Sequence, residues 1–396
     1  MRFLHTADWH VGKVLKGQSR HEEHEAVLRS LVELADEEDV DAVVISGDLF
    51  DTSTPGPSAQ GLVIETLLAL RGGERHVFAI AGNHDNSHLL DAVYRPVLGE
   101  LGIHLLGTPK RPDAGGRVTF STRAGETVNV AALPFLSHRY AVRAAEVLLH
   151  ETAEHSLDYS RRVAGIVGAL TAGFRPETVN LVMAHGTLLG GRRGGGERDV
   201  QTTLDYELPA TVFPASAHYV ALGHLHRRQE IAGPCPIAYS GSPLAIDFGE
   251  EANDPAALVV TVTPDSRATE RAVPVAGGRP LVTLRGTFDE VITAGAQAGD
   301  SWLRVILAEP ARAGLGEAVR EKLPNALEVA LDDAHRVRPG GERADRPDRI
   351  GRSPQQLFAD YLAERNAADP RLETLFGRLL DELTSGPAAP FPLEEV

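Results

Sequence analysis

The feature that most constrains this chain is a series of short apolar runs between residues 2 and 222, most of which stop at Gly, Asp or His. The runs cover 2–6, 42–46, 77–81, 128–132, 181–184 and 219–222. A strand with one wet face alternates apolar and polar residues, whereas a strand covered on both faces reads as one unbroken apolar stretch. Helical stretches lie between the runs. Val27, Leu28, Leu31, Leu34 and Ala35 form a stripe at helical spacing, and 58–70, 89–101 and 148–170 are helical in composition. Strand and helix in alternation predict a layered α/β fold.

At 396 residues the chain exceeds one ordinary domain and suggests two or three. Aromatics are only 5%, so the core must lean on Val, Leu, Ile and Ala. The single cysteine, Cys235, excludes an internal disulfide framework and fits a reducing cytoplasm. The opening MRFLHTADWH has no long apolar segment and no small-residue cleavage site, so no signal peptide is read. No run approaches the roughly 18 apolar residues of a membrane helix, so no membrane partner is expected. The formal charge of −16 argues against a chain that grips nucleic-acid phosphates unaided. Bound divalent cations would reverse the sign locally, or a partner could carry the grip.

From about residue 280 the pattern changes. LVTLRG, WLRVILAE and ALEVALD, interleaved with a short helix and GLGEAVREKL, suggest a small β-α-β-α-β domain. Residues 335–352 read as a linker rich in Arg, Gly, Asp and Pro. Beyond it, Ser353 is placed as an N-cap, Pro354 as the first helical residue and Gln356 as the partner in a capping box. Leu357, Phe358, Tyr361 and Leu362 follow on one face. After Asp369-Pro370 a second helix carries Leu372, Leu375, Phe376, Leu379, Leu380 and Leu383 as a continuous stripe. The stripe either packs within the molecule or takes a partner's groove. Residues 190–197, GGRRGGGE, read equally as a surface connection and as an active-site loop.

Five short signatures carry the chemistry: Asp8-Trp9-His10, Gly47-Asp48-Leu49-Phe50-Asp51, Gly82-Asn83-His84-Asp85, His185-Gly186 and Gly223-His224-Leu225-His226. Each follows an expected strand, and strand C-terminal ends line the ligand crevice of an open α/β sheet. Alone, each is weak, because a His after a strand is more often a cap or a surface residue. His5, His21, His24, His76, His88, His104, His138 and His218 are read that way. Together the set supplies imidazole, carboxylate and amide oxygen, which suits Mn²⁺, Fe²⁺ or Zn²⁺ rather than a thiolate zinc site. Asp48 is the natural bridge. Two ions roughly 3.5–4 Å apart can hold a hydroxide and clamp a phosphate for in-line attack.

These signatures, in this order, resemble the calcineurin-like metallophosphoesterase superfamily. HTADWHVGK, GDLFDTSTP, AGNHD, ALPFLSHRY, ALGHLHRRQ and YSGSPLAIDFGE further resemble the nuclease subunits of bacterial SbcCD, a double-strand-break repair nuclease family. The resemblance implies two central mixed β-sheets flanked by helices (1–278), a small α+β capping domain (279–335), a linker (336–352) and C-terminal helices binding the SbcC ATPase (353–396). It implies two Mn²⁺, with Mg, Fe or Zn as substitutes. Asp8, His10 and His226 would bind one, Asn83, His185 and His224 the other, and Asp48 would bridge. His84 would face the scissile phosphate, with Asp51 orienting its imidazole or, alternatively, serving as a turn or cap residue. The activity implied is hydrolysis of DNA in repair and recombination: ATP-independent single-strand endonuclease, ATP-dependent 3′–5′ double-strand exonuclease with the partner, and hairpin cleavage. DNA ends, hairpins and single strands are the expected substrates, and a homodimer is expected. The rival readings are a small-molecule phosphodiesterase of the same superfamily and a silent scaffold for SbcC. The regions after 280 weigh against the first, and the complete ligand set with His84 against the second.

Overall fold

A computed structural model of the chain describes residues 1–137, 141, 159–197, 207–335, 353–364 and 369–385. It divides into a larger unit, Met1–Arg336, and a smaller one, Val337–Val396.

The larger unit is built on two six-stranded mixed sheets. The first runs Ser266–Pro274, Ala256–Thr263, Arg2–Thr6, Ala42–Ile45, His76–Ile80, Ile103–Leu106, and its last four strands are mutually parallel. The second runs Gln229–Glu230, Ile237–Tyr239, Tyr219–Gly223, Val179–His185, Thr127–Leu133, Arg117–Ser121, with the middle four parallel. The sheets pack face to face. Phe3, Val44, Phe78, Val130, Leu181, Tyr219 and Val260 share the core between them.

Their neighbours in sequence point the other way. Leu4, Val43 and Val77 bury against helices His21–Glu37 and Pro57–Arg71 through Leu28, Leu31, Val63 and Leu67. On the second sheet, Val182, Val220 and Leu222 bury against helix Tyr159–Thr171 through Val163, Ile166 and Val167. Unbroken apolar runs are the direct consequence of this four-layer order, since every strand residue meets hydrocarbon on its own side.

Three details depart from or extend the sequence reading. The stretch expected as one helix over 89–101 is helical from 87 to 99 but opens into a wide π-type turn at Leu90–Tyr94 before Arg95–Gly99. Pro96 lies just beyond that turn, and the missing N–H of a proline is accommodated by such local widening. The hairpin Ala256–Thr263 to Ser266–Pro274 extends the first sheet antiparallel to Arg2–Thr6. Of the helix expected over 148–170, residues 148–158 lie outside the described residues, as does the linker 336–352.

The end of the larger unit alternates strand and helix: Leu281–Gly286, Phe288–Gln297, Trp302–Leu307, Leu315–Lys322 and Ala326–Leu331, with the three strands parallel. It meets the sandwich through Leu281 and Trp302 packed on Leu15 and Phe248. Glu23 ties the two parts with hydrogen bonds from Trp302 Nε1 (2.9 Å) and the Arg279 N–H (2.7 Å). In the smaller unit, helices Pro354–Glu364 and Pro370–Ser385 stack Phe358 on Phe376, ring centroids 4.1 Å apart. The expected capping box forms, Ser353 Oγ accepting from the Gln356 N–H and Gln356 Oε1 from the Ser353 N–H. Leu372, Leu375 and Leu379 remain exposed. No helix among the described residues is long and apolar enough to cross a membrane.

Candidate metal centre

Parallel strands from both sheets end on one side, and the five signatures meet there. Asp8 and His10 follow Arg2–Thr6, Asp48 follows Ala42–Ile45, and Asn83 and His84 follow His76–Ile80. His185 is the last residue of Val179–His185, and His224 and His226 follow Tyr219–Gly223. Ligand atoms of Asp8, His10 and His226 lie within 4.8 Å of one another, as do those of Asp48, His185 and His224, and those of His10, Asp48 and His84. Asn83 Oδ1 joins the second group, 2.9 Å from His185 Nε2 and 2.7 Å from His224 Nδ1. Asp48 Oδ2, 3.4 Å from His185 Nε2 and 3.7 Å from His10 Nε2, stands between the groups.

The backbone is forced to make this arrangement. Asp8, His10, Asp48 and His224 all have positive φ, at 56°, 49°, 52° and 105°. Such conformations cost roughly 1–3 kcal/mol each in ordinary residues and persist only where the surroundings hold them. Here the Asp8 carboxylate accepts the His224 N–H at 2.9 Å, and Asp48 Oδ1 accepts the His84 N–H at 2.8 Å. Gly82 is required by close approach, because a Cβ there would sit 2.1 Å from Asp48 Oδ1.

The electrostatics call for cations. Asp8 and Asp48 are buried to within 1% of full coverage. Burial pushes the Asp8 carboxyl up to about 7 against the pull of His185 and His226. Burial works against a charged His185 as well, but the Asp48 and Asp8 carboxylates outweigh it and lift the imidazole to about 9. His226 is likewise opposed by burial yet raised to about 10, chiefly by Glu250. His224 is lowered to about 3 by burial and by the neighbouring His185. The chain alone thus compensates its buried carboxylates with protonated imidazoles.

The fit to divalent metal is visible atom by atom. His224 Nδ1 faces Asn83 Oδ1 at 2.7 Å, inside the second group. His10 Nε2 faces His226 Nε2 at 3.1 Å, so two nitrogens that are ligands in their neutral form point at one spot. His185 Nδ1 donates to the Ser46 carbonyl at 2.7 Å, so in its neutral, ligating form the Nε2 lone pair is directed toward Asn83 and Asp48. Buried carboxylates and imidazole nitrogens that have mainly one another for company are costly unless a cation binds them.

His84 lies edge-on to His10, centroids 4.6 Å apart, and its Nδ1 is 2.7 Å from the main-chain oxygen of Asp51. The orienting contact expected from the Asp51 carboxylate therefore comes from that residue's carbonyl. The carboxylate itself reaches Lys13 Nζ at 3.3 Å and His10 Nδ1 at 3.7 Å. Phe135 walls the site, its ring 6.2 Å from that of His185 and 6.4 Å from that of His224.

Several contributing residues lay within the quoted stretches but were given no role there: Asp85 in the third signature, Glu197 at the end of GGRRGGGE and Glu250 at the end of YSGSPLAIDFGE. Asp85 accepts the N–H groups of Leu49, Phe50 and Gly82 and so ties the second signature to the third. Glu250 and Glu197 both reach His226. The histidines set aside as ordinary include His5 and His24, which are buried and bonded to Leu222 O and Tyr219 Oη, and to Arg20 O and Trp9 O. His138 lies outside the described residues.

Comparison with known proteins agrees with this centre. The calcineurin-like phosphoesterase family profile matches residues 1–228, and the family described as type 5 capsule protein repressor C-terminal domain matches 278–366. The chain is 40% identical over 286 residues to the SbcD subunit of nuclease SbcCD from Bacillus subtilis, covering 71% of each chain. The SbcD subunit of Rhodobacter capsulatus is 36% identical over 72% of this chain and 71% of its own. That of Escherichia coli K12 is 30% identical over 74% and 72%. By its folded site and by these matches, the chain belongs to the calcineurin-like phosphoesterases and, among them, to the SbcD nuclease-subunit family.

Proposed function

We propose that the chain is the nuclease subunit of an SbcCD-type complex, hydrolysing DNA phosphodiesters at two divalent cations, manganese foremost. The observation that carries this reading is the convergence of seven ligand-type side chains at the ends of strands from both sheets, with their ligand atoms crowded on one another. Asp8, His10 and His226 are assigned to one ion, Asn83, His185 and His224 to the other, and Asp48 to both. Divalent cations would supply Lewis acidity there, neutralising phosphate charge and making water a competent nucleophile at neutral pH. The chain's own residues do the rest. Asp48 fixes the spacing of the two ligand groups. The Asp51 carbonyl holds Nδ1–H of His84, so proton transfer and charge stabilisation at this ring run through Nε2. Asp51 acts through its main chain on His84 and through its carboxylate on Lys13 and His10.

The exposed stripe of Leu372, Leu375 and Leu379 suits docking on a partner helix pair, in keeping with the relatives' being subunits of a larger nuclease. A partner ATPase of the SbcC kind would also supply the DNA affinity that a chain of charge −16 lacks. Residues 279–335 are assigned to shaping DNA access and 353–396 to the partner.

The test is hydrolysis of linear duplex, hairpin and single-stranded DNA beside a cyclic nucleotide, with Mn²⁺, with and without the ATPase. DNA cleavage that the ATPase extends to duplex ends, and that Asp48→Asn abolishes, is expected. Turnover of the cyclic nucleotide with none of DNA would assign the small-molecule reading instead. A wild type that binds ions yet cleaves neither would assign the scaffold.

A further inference from the structure

We propose that Glu250 and Glu197 are positioning residues that hold His226 as a metal ligand, and that the glycine-rich segment ending at Glu197 lets them close on it. The inference rests on the divalent-metal reading of the site. Two carboxylates from segments far apart in sequence end on this one residue. Glu250, 1% exposed, takes His226 Nδ1 at 2.6 Å on Oε1 and the Ile246 N–H at 2.8 Å on Oε2. With Nδ1–H donated to Glu250, the His226 lone pair sits on Nε2 and points into the corner shared with Asp8 and His10. A carboxylate behind a ligating imidazole fixes both its tautomer and its ring plane.

Glu197 secures the main chain of the same residue. Its Oε1 accepts the His226 N–H at 2.9 Å and the Gly194 N–H at 2.6 Å, and its Oε2 accepts the Gly195 N–H at 2.8 Å. The glycines explain themselves in the same contact. A Cβ on Gly196 would lie 2.0 Å from Glu250 Oε1 and 3.0 Å from His226 Nδ1. One on Gly195, which has φ of +119°, would lie 2.6 Å from the Gly249 carbonyl carbon. The segment that read equally as surface loop and as active-site loop is thus a close-fitting brace over one ligand. None of these hydrogen bonds reaches Asn83, His185 or His224, although the Glu197 charge is felt by His224, so the brace serves chiefly the Asp8–His10–His226 group.

The experiment uses full-length protein stripped of metal. Wild type, Glu250→Gln, Glu197→Gln and Gly196→Ala are titrated with MnCl₂ by calorimetry and by electron paramagnetic resonance, with circular dichroism and the melting temperature in EDTA as controls. Wild type is expected to take two ions with a spin-coupled signal. Each variant is expected to lose about 10- to 100-fold in affinity for one ion and to show an uncoupled signal, with affinity for the other ion reduced far less. A general structural defect would instead lower the melting temperature in EDTA and weaken both ions together, and that result overturns the proposal. So does retention of both wild-type affinities. If Glu250→Gln does not fold, Glu197→Gln and Gly196→Ala decide the matter by the same readouts. A wild type that takes no pair of ions removes the metal reading itself, and is recognised because the parent titration fails before any variant is compared.

Discussion

Glu23→Ala should undo the join between the sandwich and the strand–helix end of the larger unit. Glu23 sits on helix His21–Glu37 and is 8% exposed. It accepts from Arg20 Nε at 2.5 Å, Arg20 Nη2 at 2.7 Å, Trp302 Nε1 at 2.9 Å and the Arg279 N–H at 2.7 Å. Arg20 is fully buried, and its guanidinium also donates from Nη1 to the Ala245 carbonyl at 3.0 Å. Truncation of Glu23 therefore strands most of a buried guanidinium and an indole N–H together. Breaking a buried pair by removing one partner costs about 3–5 kcal/mol, well above the value of a solvent-exposed ion pair.

The assay is urea unfolding at neutral pH, followed by circular dichroism and by tryptophan emission. Trp302 is one of only two tryptophans, so loss of its bond to Glu23 is visible directly. In a double-mutant cycle with Trp302→Phe, the coupling should be roughly 1.5–3 kcal/mol, as for hydrogen bonds to charged groups. The pH dependence has a defined sign. Burial alone would raise the Glu23 carboxyl, but the Arg20, Arg279 and Trp302 hydrogen bonds hold it below its ordinary value of 4.5. Its contribution is therefore complete above that value and is lost as the pH falls through the lower, folded-state value. A loss below about 1 kcal/mol, or Trp302 emission unchanged by Glu23→Ala, would refute this account of the join.

Two further outcomes follow from the site. His84→Gln should lower the DNA cleavage rate by about 10²–10⁴-fold while leaving metal content at the wild-type level, measured by single-turnover kinetics beside elemental analysis. Adding Mn²⁺ to metal-free protein should raise the melting temperature, by the equivalent of about 2.7 kcal/mol at 100 times the dissociation constant, and at one fixed Mn²⁺ concentration by more at pH 8 than at pH 5.5. The sign follows from the protons that must leave. Opposed by burial but held by neighbouring carboxylates, His185 and His226 titrate at about 9 and 10 without metal, and Asp8, raised by burial, at about 7. A shift that grew as the pH fell would contradict this assignment.

Much of the architecture was legible because the four-layer order writes itself into single residues. Val43 faces the helices and Val44 the other sheet, so neither position tolerates a polar residue and the run is unbroken. Asp8, Asp48, Asn83, His185 and His224 were legible because strand ends bring them to one edge whatever their separation in sequence. The action of the bracing residues on His226 was not, although both stand in stretches that the sequence singled out. Glu250 acts on His226 from 24 positions away and Glu197 from 29, and neither spacing has a local signature. Asp51 illustrates a second limit, since its contact to His84 is made by a carbonyl that every residue type possesses. The π-type turn at Leu90–Tyr94 illustrates a third, because side-chain periodicity does not register a local change in helical winding.

The most direct measurement is anomalous diffraction at the manganese edge from crystals grown in MnCl₂. Two peaks roughly 3.5–4 Å apart are predicted. One should be bound by Asp8, His10 and His226, the other by Asn83, His185 and His224, with the Asp48 carboxylate touching both. Well-ordered density showing a single peak, or none, or Asp48 turned away from the pair, would contradict the account.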